Sequence, residues 1–227
     1  MHVSDGLLPA PVCIGGYGLT SLITWVVLRR LDRRPNPSAE IPKASLLTAA
    51  FFVSSSLYIP IPPVSVHLIL NGLLGSILDL YAFPAILIGL LFQALVFGHG
   101  GLSTLGVNAL IMGLPALIAA QVFRWGLPDR QVPDPKYRSK LGLCGFLAAV
   151  TGVSLSVLSF FGLILSTIPL GDAGLQERQV LWGLCLAHVP VIVLEGVVTS
   201  LVVLFLDRVK PSLLPNPYRS RYTNSVK

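Results

Sequence analysis

Long apolar runs alternate with short polar stretches along the chain, and the runs suffice to cross a lipid bilayer singly or in pairs. Their pattern predicts helices over 11–29, 44–58, 67–80, 83–97, 106–124, 141–167 and 179–206. The third and fourth are short, at about 14 residues against the roughly 20 of a full crossing. They are expected to form a tilted or partly re-entrant pair. Asp79-Leu80-Tyr81-Ala82-Phe83-Pro84 is the expected turn between them, since proline suits the first turn of a helix. The segments 31–43 and 127–140 and the tail from Pro211 are polar and contain proline, as connecting loops do. The expected fold is thus an all-α polytopic membrane protein of seven transmembrane helices in one membrane domain, residues 1–227. Within it, 1–10 form an external N-terminal segment, 11–206 the bundle and 207–227 a cytoplasmic tail.

Composition supports lipid as the main solvent. Hydrophobic residues make up 53% of the 227 residues and charged residues 11%, against about 25% charged in a soluble domain. Mean hydropathy is +0.77. So little charge leaves too little polar surface to cover a soluble domain.

The net charge of +6 invites a nucleic-acid reading, but its distribution argues against one. The charge lies in three clusters between apolar runs, with no interleaved aromatics and no recognisable nucleic-acid module. Arg29, Arg30, Arg33, Arg34 and Lys43 follow the first run. Arg124, Arg130, Lys136, Arg138 and Lys140 follow the fifth, and Arg208, Lys210, Arg219, Arg221 and Lys227 the last. Seven crossings put all three clusters on one face and leave Arg178 alone, of sixteen basic residues, on the other. The positive-inside rule makes the basic face cytoplasmic, which sets the N-terminus outside and the C-terminus inside. Six crossings would divide the clusters between the faces.

Met-His-Val-Ser-Asp-Gly has no basic n-region and no small-residue cleavage site follows, so the first helix is expected to stay in the mature protein. Cys13, Cys144 and Cys185 all fall in apolar runs without C-x-x-C spacing and read as small buried residues. No Walker A, H-E-x-x-H or G-x-S-x-G motif occurs, so the chain is not expected to be an enzyme or to hydrolyse ATP.

The candidate chemistry lies in histidine. His2, His67 and His99 fall on the expected outer side, and His188 in the outer half of the last helix. Polar groups near lipid are costly and usually face an interior site. His2 can offer its imidazole Nδ1, its own deprotonated backbone nitrogen and the α-amine of Met1, three nitrogens in one plane. A further imidazole such as His67 would complete a square-planar set, a geometry that suits Ni²⁺ or Cu²⁺ better than Zn²⁺ or Co²⁺.

Met-His-Val-Ser-Asp-Gly at the start, Ser-Val-His-Leu-Ile-Leu-Asn-Gly-Leu-Leu-Gly at 65–75 and Gly-His-Gly-Gly-Leu-Ser-Thr-Leu-Gly-Val-Asn at 98–108 together resemble the NikM/CbiM family. These are the substrate-specific S components of nickel and cobalt energy-coupling-factor transporters. The likeness is strong from residue 1 to about 124 and rests on hydrophobic organisation beyond that. It implies a seven-helix bundle whose N-terminal segment holds the ion through Met1, His2 and His67. It implies no permanent cofactor, with Ni²⁺ or Co²⁺ as cargo, and an inner-membrane location. It also implies a membrane coupling subunit, two cytoplasmic ATPase subunits and often a small accessory membrane subunit as partners. Cobalt members more often carry Pro-Thr-Gly after this histidine, whereas His67 here precedes Leu-Ile-Leu-Asn-Gly, which favours nickel. Alternatives are a Co²⁺ uptake subunit feeding cobalamin synthesis, and a proton-coupled secondary transporter using His188 and Glu195.

Other polar residues have candidate supporting roles. Asn71 falls one helical turn after His67 and Asn108 closes the glycine-rich loop, so both are candidates to orient the site, or simply to satisfy exposed backbone. Ser4 and Asp5 either fix the N-terminal loop or make a turn before Gly6, and His99 either lines the entrance or is an ordinary loop histidine. His188 and Glu195, seven residues apart, read first as a buried hydrogen-bonded pair and second as a proton relay. Ser45/Ala49 and Ala50/Ser54 have the small-x-x-x-small spacing that permits close helix approach in lipid, the expected docking face for the coupling subunit.

Overall fold

The computed structural model describes residues 2–54, 58–61, 64–129, 134–168 and 174–215. Apart from one two-stranded hairpin, the described secondary structure is helical. The α-helices are α1 (Ala10–Asp32), α2 (Ile41–Ser54), α3 (Asn71–Leu78), α4 (Ala82–Phe97), α5 (Leu105–Gly126), α6 (Tyr137–Thr167) and α7 (Leu175–Val209). Strands β1 (Tyr58–Ile61) and β2 (Val64–His67) pair antiparallel, with Tyr58 opposite His67.

Five segments are long and apolar enough to cross a membrane: Ala10–Asp32, Asn71–Phe97, Leu105–Gly126, Tyr137–Thr167 and Leu175–Val209. The count of seven crossings does not follow from length. α2, with 14 residues, spans about 21 Å at 1.5 Å per residue, and α3, with 8, about 12 Å. Both fall short of the roughly 30 Å hydrocarbon core.

Two predicted helices are corrected at their inner edges. The stretch 44–58 is helical only to Ser54, and 67–80 becomes helical only at Asn71. Between them the chain forms the hairpin, and His67 ends β2 instead of opening α3. Pro60, Pro62 and Pro63 exclude a continuous helix here. Tyr, Ile and Val suit a strand, and proline is tolerated at an edge. Hydropathy alone cannot separate such a run from a helix.

α3 is the centre of the packing, with all eight residues buried. Its glycines let neighbouring backbones meet it. A Cβ on Gly72 would lie 2.4 Å from Ala149 Cα, and one on Gly75 would lie 2.2 Å from the Ala116 carbonyl oxygen. Small residues at such crossings allow van der Waals packing where lipid supplies no hydrophobic drive. α1 crosses α5 equally closely, where a Cβ on Gly106 would meet the Tyr17 nitrogen at 2.6 Å.

Contacts fix the direction of the short helices. Asp79, at the α3–α4 turn, pairs with Arg34 just after α1 (2.6 Å) and Arg124 near the end of α5 (3.3 Å). At the other end of α4, His99 stacks beside His2, ahead of α1. α3 therefore runs toward the basic end of the bundle and α4 returns to the histidine end. Tyr137 donates to Asp207 (3.1 Å) and Lys43 to the Leu213 carbonyl (3.0 Å), which brings the start of α6, the end of α7 and the start of α2 together.

Candidate metal centre

The N-terminal segment is held in place by the opening of α5. The Asn108 side chain pairs with both peptide groups of Val3, accepting its N–H (2.9 Å) and donating to its carbonyl (3.0 Å). The Thr104 hydroxyl donates to the same carbonyl at 2.6 Å. Val3 is fully buried. Asp5 then accepts the N–H groups of Leu102 (3.2 Å) and Ser103 (2.9 Å), together with the Ser103 hydroxyl. The Ser103 hydroxyl, foremost, holds the Asp5 carboxyl below its usual range, so it is ionised and ties the N-terminal segment to the loop just before α5. Gly101 leaves the room, since a Cβ there would sit 2.1 Å from the Asp5 carboxylate.

This clamp brings His2 against two other imidazoles. The His2 and His67 rings stack with centroids 5.2 Å apart, those of His2 and His99 lie 6.0 Å apart, and those of His67 and His99 6.3 Å. His99 reaches the cluster from a loop whose flanking glycines, Gly98 (φ 63°) and Gly100 (φ 79°), both adopt the left-handed region.

His67 is buried, and its Nδ1 lies 2.9 Å from the Leu68 carbonyl. A carbonyl can only accept, so that nitrogen carries the proton and Nε2 is the unprotonated one. Burial pushes the His67 pKa down to about 4. Burial foremost, with contributions that include the neighbouring His67 and His99, holds His2 well below the usual imidazole value, and burial also lowers His99. All three rings are neutral at pH 7, the state a metal ligand needs. Met1 lies outside the described residues. Among those described, no three His, Cys, Asp or Glu side chains converge closely enough to hold an ion by themselves.

Other expected residues fall elsewhere. Asn71 is fully buried and donates to Met112 O (3.3 Å), Gly152 O (3.1 Å) and Ser156 Oγ (2.7 Å), which joins α3 to α5 and α6. It shares no helical face with His67, because His67 is not in a helix. Ser4 is exposed. Ser45, Ala49 and Ala50 are exposed along α2, but Ser54 is buried with its hydroxyl on the Phe51 carbonyl and leaves that face.

His188 and Glu195 form no pair. His188 Nδ1 bonds the Leu184 carbonyl at 2.7 Å. The Glu195 carboxyl, fully buried, accepts the N–H of Ile69 and, at 2.8 Å, that of Leu70. It thereby fixes the chain just after His67, where Leu70 takes a left-handed φ of 54°.

Two residues escaped the sequence reading. Thr104 is one. The other is Gln93, fully buried in the otherwise apolar α4. A lone amide in an otherwise apolar run was the signal that could have found it.

A helical multi-pass protein of the cell membrane thus gathers three imidazoles around its pinned N-terminal segment at one end of its bundle. Residues 2–213 match the CbiM family, described as the cobalt uptake substrate-specific transmembrane region. The chain belongs to this family of membrane metal-transport proteins. A Haemophilus influenzae protein assigned to metal transport is 36% identical over 94% of this chain and 97% of its own length. The cobalt transport protein CbiM of a Roseiflexus species is 33% identical over 89% of this chain and 80% of its own. The fused nickel transport protein NikMN of Rhodobacter capsulatus is 29% identical over 70% of this chain and 47% of its own. A solved structure of a transition metal transporter matches over 100% of both chains at a TM-score of 0.70 and 19% identity, a likeness of fold.

Proposed function

We propose that the chain is the substrate-binding membrane subunit of an ATP-driven importer of divalent transition metal, with Ni²⁺ favoured over Co²⁺. The ion is held by the Met1 amine, the His2 backbone nitrogen and Nδ1, and His67 Nε2. The observation that carries this reading is the stacking of His2 on His67 at 5.2 Å, with Val3 pinned beside them. Four nitrogens in a plane suit Ni²⁺, whereas the cobalt names of several relatives favour Co²⁺. Competition between the two ions in equilibrium binding decides the preference.

The chain crosses the membrane seven times, histidine end outside and basic end in the cytoplasm. The alternation of helix ends between Arg34, Asp79 and Arg124 on one side and His2, His67 and His99 on the other supports this. The energy comes from two ATPase subunits through a membrane coupling subunit, with or without a small accessory subunit. Ser45, Ala49 and Ala50 on α2 are the docking face. Ala49→Trp is expected to abolish co-purification with the coupling subunit and to leave Ni²⁺ binding intact; loss of both, or of neither, counts against this face.

Equilibrium Ni²⁺ binding to the purified protein tests the site. Orienting groups alone change metal affinity about 10–100-fold, so loss of a ligand in His67→Ala should cost at least about a hundredfold. The pH dependence of that difference is diagnostic. An imidazole of ordinary pKa near 6.5 would lose about tenfold of its advantage by pH 5.5. With the His67 pKa depressed to about 4, the ratio of wild type to His67→Ala should hold between pH 7 and 5.5 and collapse only toward pH 4. Equal affinities at pH 7 would remove His67 from the site. Uptake that persists without the ATPases would favour the secondary transporter.

A further inference from the structure

α4 carries one polar side chain, Gln93, and it points inward at the histidine end. Its backbone carbonyl accepts the His99 N–H at 3.1 Å. Its side-chain nitrogen makes a long contact of 3.4 Å to the Phe51 carbonyl. Its Oε1 is buried with no hydrogen-bond partner, and so is Nε2 of His2. Buried polar atoms without partners are rare and ask for an explanation.

The two orphans answer each other. Gln93 lies beside the His2 ring, its carbonyl bonded to His99, whose ring stacks on His2. An amide oxygen can only accept, so it is satisfied only when His2 Nε2 carries a hydrogen. A neutral imidazole carries one N–H, which leaves Nδ1 bare. Nδ1 is the nitrogen that closes a six-membered ring with the residue's own backbone nitrogen around a metal; Nε2 points away from that ring.

We propose that Gln93 is a positioning residue that accepts the His2 Nε2–H, fixing the imidazole in its chelating tautomer and in the plane of the terminal site. A ligating histidine commonly gives its second N–H to an oxygen in this way. A neutral amide does so without placing a further charge in an apolar helix. The inference rests on the terminal-chelate reading above.

The test compares wild type, Gln93→Leu and Gln93→Glu by Ni²⁺ titration, by the visible d–d band of square-planar Ni²⁺ and by thermal unfolding of the metal-free protein. Gln93→Leu is expected to weaken Ni²⁺ binding by about 10–100-fold and to shift or bleach the band, with the metal-free unfolding temperature unchanged. Gln93→Glu keeps an acceptor oxygen and is expected to restore both band and affinity to within a few-fold of wild type. Should Gln93→Leu fail to fold, Gln93→Met, which keeps the length of the side chain and removes the acceptor, is read in its place with the same expected losses. Wild-type affinity and band in Gln93→Leu, or failure of Gln93→Glu to restore them, overturns the positioning role. If wild type binds no Ni²⁺ at all, the terminal chelate itself is wrong, a result separable from either.

Discussion

Inserting Gln-Gln between Met1 and His2 is expected to lower Ni²⁺ affinity by at least about a hundredfold, the scale on which metal sites respond to altered geometry, with the metal-free protein unfolding as before. Every original side chain remains in the variant, and only the position of the terminal amine changes. An unpinned terminus absorbs such an insertion by sliding. Here it cannot, because Val3 is bonded through both its N–H and its carbonyl, and Asp5 is held by Leu102 and Ser103. The added residues must extend beyond His2, where the amine can no longer close a five-membered ring with the His2 nitrogen. Two residues are needed, because one would make the histidine third in the chain. A third-position histidine chelates through the amine, two backbone nitrogens and its ring without help from His67. Bulky second residues also favour retention of the initiator methionine. Unchanged affinity in titration calorimetry would remove the terminal amine from the site.

Glu195→Leu is expected to destabilise the protein by about 2–6 kcal/mol, since two buried N–H groups lose their acceptor at roughly 1–3 kcal/mol each. Removing a buried carboxyl recovers its desolvation cost, and replacing both partners of such a contact by apolar groups can be neutral. Here the partners are the backbone N–H groups of Ile69 and Leu70, which no substitution removes. Ni²⁺ affinity should fall too, because those residues carry the chain out of His67 and into α3. Glu195→Gln keeps one acceptor oxygen and should be intermediate on both scales. A Glu195→Leu protein that matches wild type in thermal unfolding and in metal titration would remove Glu195 from the support of this turn.

Glu195 also marks how far the sequence reading reached. A carboxyl in the middle of an apolar helix announces a buried function, and His188 seven residues away was the nearest partner in sequence. Its actual partners are 125 and 126 residues away. Asn108 is similar: its place in the glycine-rich loop suggested a role near the site, but not that it would grip Val3 105 residues earlier. The hairpin was missed because Tyr-Ile-Pro-Ile and Val-Ser-Val score as apolar in either conformation. The prolines were the available signal.

By itself, the sequence determined the membrane class, the approximate helices, the clustering of basic charge and the candidacy of His2, His67 and His99. These rest on hydropathy, loop charge and residue chemistry, which are properties of local stretches. The tertiary structure decided that the three imidazoles meet, that Asn108, Thr104 and Asp5 pin the terminus and that Glu195 supports His67 from the last helix. It also set Gln93 beside His2. The Asn108, Thr104 and Glu195 contacts each satisfy a buried polar group with one far away in the chain, and such partners are chosen by the packing of α3 and α5 through their glycines, which no local pattern encodes.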